Sequence, residues 1–244
     1  FRGYGRSSRL EPRRPYSHVD DLEGLMNAAG VDRAALVGNS MGGRVAIDFA
    51  LEHPSRVSAL VLAAPGLSGF EGTPEEESEW EAAFADVERE IEEAVHAGDY
   101  ERAEELQLRW LWAPLGTDDP AGARIRQIAF DNIHELTMDE SGERELDPPA
   151  AGRLGEIEAP TLVLSAEHDP PWHERMCVVI VETVRGARLI EADERVRGDV
   201  RVLFSGSLYA LAVTQNRAWA AVTPFGGTCL LLGWGMLVFA TLVK

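Results

Sequence analysis

The chain has 244 residues, 45% of them hydrophobic, which is enough for one sizeable core in one or two domains. Its net charge of -18 argues against a nucleic-acid partner, because phosphates attract a basic surface. The two cysteines, Cys177 and Cys229, lie far apart in unlike segments, so they indicate neither a disulfide framework nor a cysteine metal site. We expect no cofactor and no metal. No secretory leader is visible, which favours a cytoplasmic protein.

The first predicted elements surround a serine motif. Ala34 to Val37 is an apolar run of strand type, and Arg44 to Ala50 has helical periodicity. Between them, residues 38–42 read Gly-Asn-Ser-Met-Gly, which is a Gly-x-Ser-x-Gly pentapeptide. A strand, a sharp turn carrying a serine and a helix together form a nucleophile elbow. The alternative is a glycine-rich turn with an incidental serine.

Each residue of the motif has a physical role in this interpretation. Ser40 stands at the top of the turn, where its hydroxyl can reach a carbonyl carbon. The turn strains the backbone there, so Gly38 and Gly42 are predicted to supply neighbours without bulk. The helix start directs its amides at the site, which makes the Met41 N–H a candidate oxyanion donor.

Residues 71–150 change character and predict a helical cap. Fifteen acidic residues and two arginines lie between Glu71 and Glu105, while apolar positions recur at helical spacing. Gly98 breaks the first helix and Asp99 is a candidate cap for the next. The acidic run is interpreted as a solvated outer face, with an interaction surface as the alternative.

The C-terminal part of the chain is apolar. Residues 192–199 form a polar junction, and Pro224 to Val243 is a run of 20 residues without a charged side chain. That is the length a helix needs to cross a bilayer. We therefore predict membrane association through residues 200–244, the alternative being a buried last helix of the core.

The motifs on either side of the elbow carry a wider resemblance. Residues 1–8, Phe-Arg-Gly-Tyr-Gly-Arg-Ser-Ser, and residues 52–57, Glu-His-Pro-Ser-Arg-Val, resemble segments of α/β-hydrolases. Residues 159–164, Ala-Pro-Thr-Leu-Val-Leu, resemble the family's seventh strand, and residues 186–190 resemble the start of its eighth. The resemblance is strongest to the serine esterase and carbon–carbon-bond hydrolase branch. The tail resembles a small bacterial membrane-protein family of unknown function.

The resemblance implies an α/β fold: an incomplete α/β-hydrolase sheet with a helical cap, followed by a C-terminal apolar helical segment. The implied divisions are core at 1–70, cap at 71–150, core at 151–191, and junction with apolar tail at 192–244. The family's first three strands, most of its fourth and its second oxyanion donor would precede residue 1. The join at 192–199 is open to three explanations: a natural fusion, a frameshift or an artefact.

The resemblance also implies a catalytic triad, of which two members are found. Ser40 is the nucleophile, and Asp169 stands where the family has its acid. The histidine is expected just past Ile190, yet no histidine follows His173. The catalytic histidine is therefore unknown; His173 is the best substitute, with His134 of the cap as another.

Two functions remain open from the sequence. One is a serine hydrolase acting on an ester or related carbonyl group of a small-molecule substrate, impaired by the missing histidine and strands. The other is a catalytically inactive hydrolase-like fragment fused to a membrane anchor. The oligomeric state and the particular substrate are not indicated by any motif.

Overall fold

The computed structural model describes residues 1–11, 13–112, 120–166, 169 and 171–192. Contacts between Cα atoms divide the chain into two units, residues 1–164 with 169–189, and residues 165–168 with 190–244. The hydrophobic core, the helices between residues 74 and 131, and Ser40, Asp169 and His173 belong to the first unit. The predicted apolar tail lies outside the described residues. Within the described ranges, no helix combines the length and the apolar character needed to cross a membrane.

Four strands form a single sheet in the order of the sequence. They are β1 (Ala34–Ser40), β2 (Val57–Pro65), β3 (Thr161–Ala166) and β4 (Arg188–Ala192). The β1–β2 and β2–β3 pairs are both parallel. This order places β1 at one edge of the described sheet, where Val37 is 62% exposed. The parallel sheet with helical crossovers confirms the predicted α/β class.

One helix precedes β1 and another follows it. Helix α1 (His18–Ala28) begins at Ser17, whose hydroxyl accepts a hydrogen bond from the Asp20 N–H. Helix α2 (Met41–Glu52) begins directly after Ser40 and packs against β1 and β2. A short 3₁₀ helix at Pro54–Arg56 then leads into β2.

Three α-helices are described in the region where a cap is predicted, on either side of residues 113–119. They are α3 (Pro74–His96), α4 (Tyr100–Trp112) and α5 (Pro120–Asp131). Thr73 and Glu76 form a capping box at the start of α3. After α3, Gly98 has φ +74°, and the Asp99 carboxylate accepts from the Arg102 N–H. The predicted break and the predicted cap are therefore both present.

The chain returns to the sheet through short turns. Three 3₁₀ helices, Ile133–Thr137, Ala150–Gly152 and Leu154–Glu156, connect α5 to β3. Helix α6 (Pro171–Thr183) links β3 to β4.

One hydrophobic core joins these elements. Side chains with essentially no exposure come from α2, from β2 and β3, and from α6. The largest of them are Ile47, Phe49, Leu60, Leu62, Val163 and Ile180. Burial of this apolar surface against β2 fixes the sheet, and with it the position of the β1–α2 turn.

Candidate active site

Ser40 lies at the junction of β1 and α2, where the sequence predicts it. It is the last residue of the strand, and the helix starts at Met41. Its backbone angles are φ 48° and ψ -116°, which is a conformation that non-glycine residues rarely adopt. The residue is exposed, and its side chain forms no capping hydrogen bond with the helix. The turn therefore presents the Ser40 hydroxyl to solvent.

The space around the turn is restricted at two glycines. A Cβ on Gly38 would overlap the carbonyl group of Gly42. A Cβ on Gly43 would lie 2.6 Å from the Cβ of Pro65, at the end of β2. At Gly42 the nearest atom would be the Phe1 Cζ at 4.0 Å, which is ordinary contact. A side chain would therefore be crowded at Gly38 and at Gly43. At Gly42, which was also expected to lack bulk, no described residue would crowd it.

Hydrogen bonds to β2 and to Gly66, the residue that follows β2, fix the end of β1. The Asn39 side-chain amide donates to the carbonyl oxygen of Ala63 at 3.0 Å. The Gly66 N–H donates to the carbonyl oxygen of Ser40 at 2.9 Å. These two bonds tie the end of β1, including the strained Ser40, to the end of β2. Asn39 occupies the first variable position of the Gly-x-Ser-x-Gly motif, and the motif alone does not reveal this hydrogen bond.

The Met41 N–H belongs to the first turn of α2. The first four N–H groups of a helix have no acceptor within the helix, and the helix dipole adds positive potential there. An oxyanion that formed on a carbonyl attacked by Ser40 would lie beside this end of the helix.

The carboxyl ends of β1 and β3 lie on the same side of the sheet. The parallel register aligns Asn39 with Ala63 and Ala63 with Leu164. The two strands are therefore about 10 Å apart across β2. Asp169 follows β3 in the chain and is partly buried.

His173 lies in the first turn of α6, four residues after Asp169. Its ring is stacked on the ring of Trp172 with centroids 3.8 Å apart. Burial lowers the pKa of His173, and the negative charge of Asp169 partly offsets that effect. The imidazole is therefore held in its neutral form, which is the form that accepts a proton.

Three other histidines have contacts elsewhere. His134 Nε2 donates to the carbonyl oxygen of Gly3 at 2.6 Å. His53 is packed against the Phe49 ring, 4.7 Å between centroids. His18 is buried against the rings of Phe1 and Tyr16, and burial lowers its pKa.

A buried polar cluster supports the first turns of α2. Arg44 Nη2 and Glu143 Oε1 form an ion pair at 2.6 Å, with both side chains mostly buried. One turn further, Asp48 is 3% exposed and accepts from the Ser68 hydroxyl at 2.9 Å. Burial raises the pKa of Asp48, while the Ser68 hydrogen bond lowers it. Nothing in the spacing of these residues along the sequence could have revealed their association.

Among the residues that the structure describes, no group of three or more His, Cys, Asp or Glu side chains is arranged to hold a metal ion.

Comparison with known proteins identifies the fold family. Residues 1–194 match the family profile described as the alpha/beta hydrolase fold. The chain belongs to the α/β-hydrolase fold family.

The curated relatives include hydrolases named for 2-hydroxy-6-oxo acids. A 2-hydroxy-6-oxo-6-phenylhexa-2,4-dienoate hydrolase of Comamonas testosteroni is 44% identical over 57 residues, 23% of this chain and 20% of that protein. A 2-hydroxy-6-oxononadienedioate/2-hydroxy-6-oxononatrienedioate hydrolase of Burkholderia vietnamiensis is 31% identical over 156 residues, 61% of this chain and 50% of that protein. The matched segments thus span between about a fifth and a half of these relatives' length.

Solved structures show the same fold. A serine hydrolase from the polyaromatic-hydrocarbon-degrading bacterium Cycloclasticus zankles superposes with a TM-score of 0.51 at 23% identity, covering 85% of this chain and 77% of that one. A hydrolase from Oleispira antarctica superposes with a TM-score of 0.56 at 15% identity, covering 78% and 70%.

The end of the chain is similar to different proteins. Residues 201–227 match a family described as a protein of unknown function (DUF423). A UPF0382 membrane protein of Staphylococcus epidermidis is 58% identical over 41 residues, 17% of this chain and 34% of that protein. The predicted resemblance of the tail to a bacterial membrane-protein family is therefore confirmed.

Proposed function

We propose that this chain is a serine hydrolase that cleaves an ester or a related carbonyl compound of low molecular weight. The observation that carries the proposal is the conformation of Ser40. A non-glycine residue at φ 48° and ψ -116° is strained, and such strain is concentrated at functional sites. The strain lifts a serine hydroxyl out of the sheet at the start of a helix, which is the arrangement an acyl-transfer nucleophile requires.

Each proposed role follows from position. Ser40 Oγ forms a bond to the carbonyl carbon, and its proton passes to a general base. The carbonyl oxygen takes up the negative charge, and the Met41 N–H donates to it. When the tetrahedral intermediate collapses, the bond to the leaving group breaks and the base returns its proton to that group. Water then attacks the acyl-enzyme through the same base and regenerates Ser40.

The general base of this proposal is His173, oriented by Asp169. Burial keeps the imidazole neutral, and the Asp169 charge stabilises the imidazolium that forms when it takes the proton. The alternative base His134 is less suited, because its Nε2 is already donating to the Gly3 carbonyl.

The substrate class is supported by the relatives and by the site. The matched dienoate hydrolases are named for substrates that carry a ketone carbonyl, and a serine nucleophile at an elbow acts on carbonyl carbon. We propose residues 1–70 and 151–191 as the catalytic core and residues 71–150 as the cap that shapes the substrate pocket.

A second candidate function follows from the tail. Its supporting observation is the match of residues 201–227 and of a 41-residue segment to membrane-protein relatives, together with the lack of any histidine after His173. In this hypothesis the chain is a hydrolase-like protein without turnover. It lies on the cytoplasmic side of a membrane and is held there by residues 200–244. Retention of the protein in carbonate-washed membranes, lost when residues 200–244 are deleted, supports the anchor. Unchanged distribution after the deletion contradicts it.

Turnover of p-nitrophenyl acetate separates the two candidates. We expect the full chain to release p-nitrophenol, and Ser40→Ala to lose that activity by about 1000-fold or more. Ser55→Ala is the matched control, because Ser55 is an exposed serine in the 3₁₀ helix after α2. Activity that is the same in Ser40→Ala contradicts the hydrolase proposal, and a complete lack of turnover by the unaltered chain supports the second candidate.

A further inference from the structure

A cavity of about 310 Å³ lies among the helices of the predicted cap, away from the elbow in sequence. Its described lining comes from α4, from α5 and from the 3₁₀ helix at 133–137. Four lining residues are apolar and three are polar, and none of the seven is basic: Glu104, Gln107, Leu108, Ile125, Ile128, Ala129 and Glu135. The volume falls within the range of small-molecule sites, which begins at about 300 Å³.

Glu104 is the unusual member of this lining. It is 2% exposed, and its Oε2 atom has no hydrogen-bond partner among the described residues. A buried carboxylate oxygen without a donor is costly, and a leucine at this position would avoid the cost. The fold thus keeps an acid in an apolar wall where packing alone gives no reason for one.

A second carboxylate adds to the negative potential. Glu135 lines the same cavity and is half-buried. Burial raises the pKa of both Glu104 and Glu135. A neighbouring carboxylate raises each further, while the neighbouring His134 lowers the pKa of Glu135. Two such carboxylates around one cavity favour a positively charged occupant, because its charge would offset the cost of burying both of them.

Two nearby basic groups have partners other than Glu104. Arg126 of α5 forms an ion pair with Glu105, and its guanidinium lies over the Phe130 ring. His134, next to Glu135 in the chain, donates its Nε2 proton to the Gly3 carbonyl. Neither group is a hydrogen-bond partner of Glu104 in the described part of the chain.

We propose that this cavity binds a small organic cation, an ammonium group carried on a short apolar chain. The ammonium N–H groups donate to the Glu104 and Glu135 carboxylates. The apolar chain packs on Leu108, Ile125 and Ile128. The site is additional to the hydrolase function proposed above and takes no part in acyl transfer, so it is tested by binding alone.

Calorimetric titration of the full chain with three ligands of one length tests the charge requirement. The ligands are n-hexylammonium, hexan-1-ol and hexanoate. We expect saturable binding of n-hexylammonium with a dissociation constant of about 1 mM or below, which is within reach of a ligand of this size. The alcohol should bind at least about tenfold more weakly, and hexanoate should not bind. Equal affinity for the ammonium and the alcohol, or no binding of the ammonium at about 10 mM, overturns the proposal.

Variants locate the binding. Glu104→Gln keeps the shape of the side chain and should weaken n-hexylammonium binding by about 10- to 100-fold, the value of a charge-assisted hydrogen bond. Glu135→Gln provides a second test at a less buried position and should weaken it in the same direction. Glu101→Gln is the matched control, because Glu101 is an exposed acid on the same helix with the same change of charge. Unchanged affinity in both cavity variants, or an equal loss in Glu101→Gln, overturns the assignment to this cavity.

Discussion

Gly38 and Gly42 approach each other so closely that a Cβ on Gly38 would overlap the Gly42 carbonyl oxygen. The end of β1 and the start of α2 are thus in backbone contact around Ser40. The same Cβ would lie 2.6 Å from the Gly43 nitrogen. Because backbone atoms in a helix cannot move aside as a flexible side chain can, this contact holds the turn closed and the serine in its strained conformation.

Gly38→Ala should destabilise the protein because of this overlap. We expect a loss of about 1–3 kcal/mol in the free energy of unfolding, the usual effect of overpacking, measured by urea denaturation. Gly42→Ala is the control, since its Cβ would meet only Phe1 Cζ at 4.0 Å. In that variant the better helix propensity of alanine, worth up to about 1 kcal/mol, opposes any loss. Equal destabilisation by the two variants would contradict the described packing.

Ser68→Ala should show how much the hydrogen bond to Asp48, the buried acid of α2, contributes to stability. The Ser68 hydroxyl donates to Asp48 at 2.9 Å and accepts from the Ala150 N–H at 3.1 Å. Removing it leaves two buried groups without that partner, so we expect a loss of about 1–3 kcal/mol in unfolding free energy. Ser55→Ala, at an exposed position, should change stability by less than about 0.5 kcal/mol. A Ser68→Ala protein as stable as the control would show that this cluster contributes little.

Glu104→Gln should change how stability depends on pH. Burial raises the folded-state pKa of Glu104 above its ordinary value of 4.5, so the folded chain holds this proton to higher pH than the unfolded chain does. Stability is therefore lost as pH rises from 4.5 through the folded-state pKa. We expect Glu104→Gln to be more stable than the unaltered chain at pH 7, and the difference to shrink as pH falls below 4.5. Chemical denaturation at several pH values measures it, with Glu101→Gln as the control that should show no such trend. A variant less stable than the unaltered chain at pH 7 contradicts the prediction.

The pH–rate profile should show the ionisation of His173 if it is the general base. Burial lowers its pKa below the ordinary value of 6.5, so the midpoint of the acid-side decline in kcat/KM should lie below pH 6.5. Asp169→Asn removes the charge that raises this pKa, so the decline should move to lower pH. The same variant should also lower the rate. Glu174→Gln, an exposed acid in the same turn of α6, should leave the profile in place. A midpoint above pH 6.5, or one that Asp169→Asn leaves unmoved, would exclude His173 as the base.

Local features of the fold were predictable because they depend on neighbouring residues. The strand, turn and helix around Ser40 follow from periodicity and from the glycine pattern. The break at Gly98 and the cap at Asp99 follow from the conformational freedom of glycine and from the short acceptor side chain. The parallel sheet follows from the alternation of strand and helix patterns in the chain.

Features that depend on distant residues were not predictable. Arg44 and Glu143 are 99 positions apart, and only the folded chain brings them together. The same is true of Asp48 with Ser68, and of the cavity beside Glu104. Gly42 was expected to need its small size, yet no described atom crowds it. The reason is related, since the residues that pack around a position decide whether a Cβ fits there. Membrane association of residues 200–244 stays a prediction, supported by the membrane-protein relatives of that segment.

The measurement that tests the central claim most directly is the site of covalent labelling by a fluorophosphonate. The full chain is treated with the probe and digested, and the modified residue is located by tandem mass spectrometry. We expect a single adduct on Ser40, lost in Ser40→Ala and retained in Ser55→Ala. An adduct on another serine, labelling that persists in Ser40→Ala, or no adduct at all would contradict the assignment of Ser40 as the nucleophile.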